Sequence, residues 1–245
     1  MKFNACLIGL GNIAYGYDAQ IKDKKIVLTH YKALQYFKQK INLKAIVEID
    51  QKKLKYFRNK TNANIYSSVE ELIKFEDKID IAIICVGKFQ QLELIKKLSR
   101  SKKIKTNICE KPLSYNFFVN FQRRFNPAII KLKQKIRKKM FGKIKKIFVY
   151  YGSTLENGGS HFLDTINFLF GMPKKIEISD YQNKQSPDFK LIFPKFKVYF
   201  LHIPSTTYEY GIINIYTDKF LISYKDDEAI KILSAKKNLI YTNEK

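Results

Sequence analysis

The sequence predicts an α/β protein: a doubly wound parallel sheet at the N-terminus, followed by an α+β domain with a mostly antiparallel sheet. Three observations carry this. An apolar strand at residues 4–8 runs directly into Gly9-Leu10-Gly11-Asn12-Ile13-Ala14. Strand and helix signals then alternate through residue 109, as repeated β-α-β units do. Beyond residue 143 the apolar residues change to period two, the spacing of strands with one buried face. The expected domains are residues 1–114 and residues 115–245.

In the opening motif, Gly9 makes the tight turn out of the strand. Gly11 lets the backbone approach a pyrophosphate, and Ala14 is small enough for the first helix to pack on the sheet. Unpaired N–H groups at that helix start, with Asn12 and Ile13 in its first turn, would face the phosphates. Residues 18–27 read as a polar insertion, after which Thr29 caps a second helical piece whose first residue is His30. His30 reads either as a residue lining the site or as a first-turn helix residue without chemistry.

Residues 42–48 form the second strand and 51–59 a helix. Residues 63–66 are a short strand, and Ser68 caps the next helix with Glu71 at the capping-box position. Residues 79–86 are apolar nearly throughout, as a parallel strand buried on both faces requires. A helix over 89–99 and a strand over 106–109 complete the pattern. Glu48 ends the second strand, with Asp50 two residues on, where an acid hydrogen-bonds the adenosine ribose hydroxyls. A carboxylate repels a 2′-phosphate, which favours NAD; the neighbouring Lys52 and Lys53 leave NADP open.

Two further motifs bear on chemistry. Cys109-Glu110-Lys111-Pro112-Leu113 stands at the carboxyl end of the fifth strand, where ligands of such sheets bind. Farther on comes Glu156-Asn157-Gly158-Gly159-Ser160-His161-Phe162-Leu163-Asp164. Here Ser160 is a helix N-cap, and Gly171 and Pro173 stop the helix. His161 and Asp164 then lie one turn apart on nearly the same face. A His near neutral pKa can take a hydroxyl proton while hydride leaves for a cofactor. Taken singly, Asn157-Gly158 reads equally as a hairpin turn and His161 as a structural helix residue. Asn126 caps a helix that has Pro127 at its first position and ends before Gly142. The preceding Arg123 and Arg124 can hold a substrate phosphate or carboxylate, or form structural ion pairs. Residues 144–151, 189–193, 197–202, 212–216 and 220–224 read as strands, with His202 a strand residue lacking a catalytic role.

Composition narrows the function classes. The chain holds 46 Lys and Arg against 22 Asp and Glu, for a formal net charge of +24. The lysines are spread over its length, as at 22–25, 52–55 and 143–146, so the charge reads as a solvated surface rather than a nucleic-acid face. A phosphate-bearing substrate would still gain from the positive field. No run of about 18 apolar residues exists to cross a membrane, and Gly9 and Gly11 interrupt any signal-peptide pattern. Cys6, Cys85 and Cys109, each in an expected strand, read as free buried thiols in a reducing, cytoplasmic setting. No Cys/His cluster has metal-ligand spacing.

Together the motifs resemble one family. G-L-G-N-I-A, the acid ending the second strand, C-E-K-P-L, Q-R-R-F-N-P, and N-G-G-S-H-F-L-D followed by F-L-F-G occur in that order. This pattern, over residues 1 to about 175, is similar to the glucose–fructose oxidoreductase, inositol dehydrogenase and MocA (Gfo/Idh/MocA) family. The resemblance implies a Rossmann domain, a substrate domain, and NAD(P)-linked redox at a hydroxyl or carbonyl of a sugar, nucleotide sugar or cyclitol, as in surface-polysaccharide synthesis. It places Lys111 and His161 in the catalytic positions, with Asn157 and Asp164 beside them. It puts Gly9, Gly11, Asn12, Ile13, Glu48, Asp50, Gly87, Glu110 and Lys111 toward the cofactor, and Arg123 and Arg124 toward substrate. It also implies self-association through the open face of the C-terminal sheet.

Three departures stand against the pattern. Asn157 replaces an acid, and Asn cannot relay a proton. Cys85-Val86-Gly87-Lys88-Phe89-Gln90-Gln91 lacks the Pro and His of the family's T-P-x-x-x-H turn. Only residues 113–116 separate Pro112 from an expected strand at 117–121, too few for a parallel crossover. That strand is therefore expected either to leave the first sheet or to mark a sheet short of a strand and a helix. A shortened, non-catalytic nucleotide-binding or interaction protein is the alternative reading.

Overall fold

A computed structural model describes residues 2–23, 25–111, 118–179, 184–204, 210–225, 229–234 and 238–241. The chain divides into two compact units, Met1–Asn120 and Phe121–Lys245. The boundary expected at residues 114/115 lies outside the described residues.

The first unit is built on β1 (Phe3–Ile8), β2 (Ile41–Val47), β3 (Asn64–Tyr66), β4 (Ile79–Ile84), β5 (Ile104–Cys109) and β6 (Phe118–Val119), in the spatial order β3-β2-β1-β4-β5-β6. Every described pairing is parallel. Alternate residues of the central strands feed two cores. Cys6, Ile8, Ala82 and Ile84 pack with Val69 and Leu72 of α3 (Val69–Phe75) and Ile95 and Leu98 of α4 (Lys88–Arg100). Ala5, Leu7, Ile46 and Ile83 pack on the other face with Tyr31 and Leu34 of α1 (His30–Tyr36) and Phe57 of α2 (Gln51–Arg58). This two-sided burial is why residues 79–84 carry almost no polar side chain.

The first helix departs from expectation. No regular α-helix follows the glycine loop: residues 11–15 form a single turn, closed by Tyr15 N–H donating to Gly11 O at 2.9 Å. The chain then leaves on an excursion, and α1 starts only at His30. Its two pieces are joined end to end, His30 N–H donating to Ile13 O (3.1 Å) and Tyr31 N–H to Ala14 O (2.9 Å). The insertion read at 18–27 thus splits one helix rather than separating two. Asp18, only 4% exposed, closes the base of the excursion, accepting from Leu28 N (2.7 Å), Thr29 N (3.0 Å) and Thr29 Oγ1 (2.7 Å).

The strand expected after Pro112 stays in the sheet. Phe118 and Val119 pair in parallel with Ile108 and Cys109. A short link is enough because the pairing uses only the last two residues of β5. The chain has to return about 7 Å along the strand direction, and residues 110–117 suffice for that. A full crossover to the far end of β5 would need about a dozen residues or more.

The second unit carries an eight-stranded sheet in the order β14-β13-β12-β11-β7-β10-β9-β8. Its strands are β7 (Ile144–Tyr151), β8 (Lys175–Ile178), β9 (Phe189–Ile192), β10 (Lys197–His202), β11 (Gly211–Thr217), β12 (Leu221–Lys225), β13 (Ile230–Leu233) and β14 (Asn238–Tyr241). All described pairs are antiparallel except β7 with β10. Strands β8, β13 and β14 were not expected from the sequence. One face packs on α5 (Pro127–Arg137) and α6 (Ser160–Phe170), through Ala128, Ile129 and Leu132 and through Phe162, Ile166 and Leu169. Asn126 caps α5 as expected, accepting from Ala128 N at 2.9 Å.

Ser160 is not the N-cap of α6. A π-helical turn at Leu155–Gly159 already runs into the helix, so the first α-helical N–H groups have helical partners behind them. Thr154 caps that turn instead, accepting from Asn157 N at 3.3 Å, while the Ser160 hydroxyl donates back to Asn157 O at 2.9 Å. Gly171, at φ +84°, ends α6 as expected.

Candidate functional site

A cleft of about 370 Å³ opens at the carboxyl ends of β1, β2 and β4, where the strand order reverses. Gly9, Leu10 and Gly11 form one wall; Glu48, Ser67 and Ser68 another; Cys85, Val86 and Gln90 a third. Gly9 has φ +85°, and a Cβ there would stand 2.9 Å from both Cys85 O and Val86 Cγ1. Only glycine fits that crossing of loop and strand. At Gly11 the nearest atom to an added Cβ is Cys85 O, 3.9 Å away. The protein itself therefore does not need a glycine at 11, and the space there suits a group approaching from the cleft.

Glu48, 8% exposed, is tied to this loop: Oε2 accepts from Leu10 N at 2.6 Å, and Oε1 from Ile49 N at 2.8 Å and Asp50 N at 3.1 Å. Lys53 Nζ donates to Leu10 O at 3.1 Å, so a cation stands beside the acid. Asp50 is the N-cap of α2, accepting from Lys52 N and Lys53 N. Gly87 occupies the N-cap position of α4. Of the residues expected at the cofactor, Gly9, Gly11 and Glu48 line the cleft. Asp50 and Gly87 start helices, while Asn12 and Ile13 form the turn beneath the loop, accepting from Tyr17 N and His30 N. Sequence reading missed Ser67, Ser68 and Gln90. Ser68 carries only its helix-cap signal, which says nothing of a cleft, and Ser67 and Gln90 carry no signal of one.

At the carboxyl end of β5, Glu110 Oε1 lies 2.7 Å from His30 Nε2 and accepts from Asn120 Nδ2 at 3.1 Å. Lys111 follows, half-buried; Pro112 and Leu113 of its motif lie outside the described residues. All three thiols are buried, with Cys85 and Cys109 near this end of the sheet. Burial, with the nearby Glu110 carboxylate adding to it, pushes the Cys109 thiol up to about 11 and the Cys85 thiol higher still. Burial also raises Cys6, to about 12. None is poised as a thiolate nucleophile.

In the second unit, Asn157 lies in the π turn and His161 in the first turn of α6, its ring edge-on to Phe121 at 5.8 Å. Asp164 is buried and paired bidentately with Arg124, whose Nε donates at 2.8 and 3.0 Å and whose Nη2 completes the fork. Arg123 stacks over the buried Phe162 ring, 4.5 Å from its centroid. Both arginines are thus engaged within the unit itself. Among the described residues no cluster of His, Cys, Asp and Glu is placed to hold a metal ion, and no helix is long and apolar enough to cross a membrane.

Residues 3–119 match the family model of the oxidoreductase family with an NAD-binding Rossmann fold, GFO_IDH_MocA. No curated protein matches the chain in sequence. Among solved structures, a dehydrogenase (MviM) from Clostridium difficile superposes with a TM-score of 0.75 at 16% identity, over 99% of this chain and 84% of that one. The WlbA dehydrogenase of Chromobacterium violaceum, solved with NADH and UDP-GlcNAcA, gives 0.73 at 17% identity over 100% and 78%. An aldose–aldose oxidoreductase from Caulobacter crescentus, complexed with glycerol, gives 0.74 at 14% identity over 100% and 84%. At these identities the likeness is one of fold.

Proposed function

We propose, for a chain whose residues 3–119 match the Gfo/Idh/MocA oxidoreductase family model with its NAD-binding Rossmann fold, NAD(P)-dependent oxidation or reduction at a hydroxyl or carbonyl of a sugar, nucleotide sugar or cyclitol. The observation that carries this reading is the glycine-walled cleft at the switch point, with open space over Gly11 and an anchored acid at Glu48. Gly9, Gly11 and Glu48 would hold the adenosine and pyrophosphate portion. Glu48 disfavours a 2′-phosphate, and NAD is the proposed cofactor; Lys53 beside it is the group that would moderate the preference. When bound, a nicotinamide dinucleotide supplies the hydride acceptor or donor, and the protein supplies orientation and proton transfer.

In the proposed roles, His161 takes or returns the hydroxyl proton and Lys111 polarises the reacting oxygen. Asp164 holds Arg124, so its proposed part is to fix the face of α6 that presents His161. Arg123 is proposed to lend positive charge toward an anionic substrate, whereas the charge of Arg124 is balanced by Asp164. The charge of +24 favours substrates bearing phosphate or carboxylate, and nucleotide sugars fit that preference. Two of the superposing proteins support the carbohydrate class, one solved with UDP-GlcNAcA and one named for aldoses.

Titration of NADH and NADPH into the protein, followed by nicotinamide fluorescence, tests the cofactor. Micromolar NADH binding, weaker NADPH binding and loss of both in Gly11→Asp are expected; no binding by either ends the reading. With a turned-over sugar in hand, Lys111→Ala and His161→Ala should each lower kcat by about 10²- to 10⁴-fold while NADH affinity stays within about threefold. Normal turnover in either variant removes that residue's role. A second reading, nucleotide binding without turnover, is favoured by one residue. Asn157 stands where the family carries an acid, and NADH binding with no activity across sugars and cyclitols would select it.

A further inference from the structure

At the end of the first unit's sheet opposite the cleft lies a second cavity, of about 630 Å³. It opens at the amino ends of β1, β2 and β3, about 20 Å along β2 from Glu48. Ligands of doubly wound sheets bind at the carboxyl ends, so the fold alone does not call for a cavity here. Lys2 before β1, Lys38 after α1, and Arg58 and Lys60 at the end of α2 all line it. Among the described residues no carboxylate and no aromatic ring lines it. Amides such as Asn59 and Asn62 stand among the cations, and the buried Leu34 and Ala63 form its apolar part.

Elsewhere in this unit lysines find acids: Lys44 pairs with Glu76, Lys97 with Glu70 and Glu93, and Lys105 with Asp80. Lys2, Lys38 and Arg58 make no such pair among the described residues. Lys60 is held differently. Its ammonium donates to Tyr15 Oη at 2.7 Å and to Tyr56 Oη at 2.6 Å, and the two hydroxyls share a hydrogen bond of their own at 2.7 Å. Hydroxyls fix the position of the charge without cancelling it, and a third N–H is left to donate. The carbonyl ends of α1 and α2 lie at this end of the sheet and favour cations, but each is worth only about half an elementary charge. Four cations exceed what two helix ends balance. We propose that this cavity binds a compact ligand of nucleotide size that carries two or more phosphates, at a site separate from the cleft. Its volume lies within the range of about 300–1,000 Å³ that small-molecule sites occupy. Arg58 brings a fork that matches two phosphate oxygens, and the lysines act as point charges. Lys60, already held, has little rotamer freedom left to lose when a ligand arrives. A nucleic-acid strand would call for rings on which bases stack, and the lining has none.

Isothermal titration calorimetry with inorganic tripolyphosphate, at about 0.05 M salt, reads this site without the base and ribose that the cleft could hold. One ion per chain is expected, bound at least about tenfold more tightly than inorganic phosphate. Arg58→Gln with Lys60→Gln should weaken it about tenfold or more. Lys2→Gln with Lys38→Gln removes two exposed cations that hold nothing in the fold; it should weaken the ion similarly and melt within about two degrees of the wild type. Lys145→Gln with Lys146→Gln, an equal loss of charge in the second unit, should leave the affinity within about twofold. Saturating NADH and the Gly11→Asp variant should each leave tripolyphosphate binding unchanged. No binding by the wild type, or binding no tighter than that of phosphate, overturns the proposal. Equal weakening in the Lys145 and Lys146 pair also overturns it, because the ion then feels only the diffuse field of the chain. Competition by NADH, or loss in Gly11→Asp, would put the ion in the cleft and reject a separate site. A single-stranded oligonucleotide that binds more tightly than tripolyphosphate, and is lost in the same two cavity variants, would make the ligand a nucleic acid and reject the compact polyphosphate.

Discussion

Gly9 and Gly11 stand two residues apart in one loop, and opposite physics holds each of them there. Gly9 is fixed by the fold: its φ of +85° is strained for any side chain, and a Cβ would meet Cys85 O and Val86 at 2.9 Å. Backbone strain of about 1–3 kcal/mol and a comparable overpacking cost should both fall on Gly9→Ala. We expect its urea midpoint to drop well below that of the wild type. Gly11 has 3.9 Å of clearance, so Gly11→Ala should unfold at nearly the wild-type midpoint while losing nucleotide affinity. Equal destabilisation in the two variants would contradict this division between a fold glycine and a ligand glycine.

The split first helix is where an element depends on one side chain. Asp18 accepts three hydrogen bonds from residues 28 and 29, ten and eleven positions along the chain. Hydrogen bonds to a charged group are worth about 1.5–3 kcal/mol each, and Asp18→Ala also leaves buried donors unmet. It should therefore cost at least about 2 kcal/mol and release the Leu28 and Thr29 amides to hydrogen exchange, while amides of β4 stay protected. Protection unchanged at Leu28 and Thr29 would mean that the excursion is held by other contacts. The same segment shows what the sequence disclosed and what it withheld. Strand and helix existence was legible wherever periodicity ran five residues or more, and the caps at Thr29, Ser68 and Asn126 were read from local chemistry alone. Strands β8, β13 and β14 have four residues each and were not read, although β9, of the same length, was. The glycine loop and Glu48 were legible because their chemistry is local to a strand end. The His30–Glu110 and Arg124–Asp164 pairs were not, because each joins residues 40 or more positions apart, and neither partner carries a local signal of the other. The short link after Lys111 misled for a related reason: counting residues constrains a crossover only when the register of pairing is known.

At the scale of the whole molecule, charge and apolar surface pull against each other. The inner face of the C-terminal sheet is closed by α5 and α6, whereas the outer face carries Phe148 stacked on Tyr199 at 5.2 Å, with Tyr150 and Tyr216 beside it. Aromatic rows of this kind favour burial against a partner surface, and we propose a second copy of the chain as that partner. Two copies each bearing a net charge of +24 repel one another, and this repulsion extends over the Debye length, about 30 Å at 0.01 M salt but about 8 Å at 0.15 M. Self-association through this face should therefore strengthen as salt rises, the reverse of binding driven by phosphate contacts. Sedimentation equilibrium across that salt range is the measurement. Phe148→Lys with Tyr199→Lys should leave a monomer at every salt concentration and a melting temperature within a few degrees of the wild type, since both side chains lie off the inner core. A wild type that is monomeric throughout removes the second copy as the occupant of this face. Association that weakens with salt would point to an anionic bridge between the copies rather than the aromatic row.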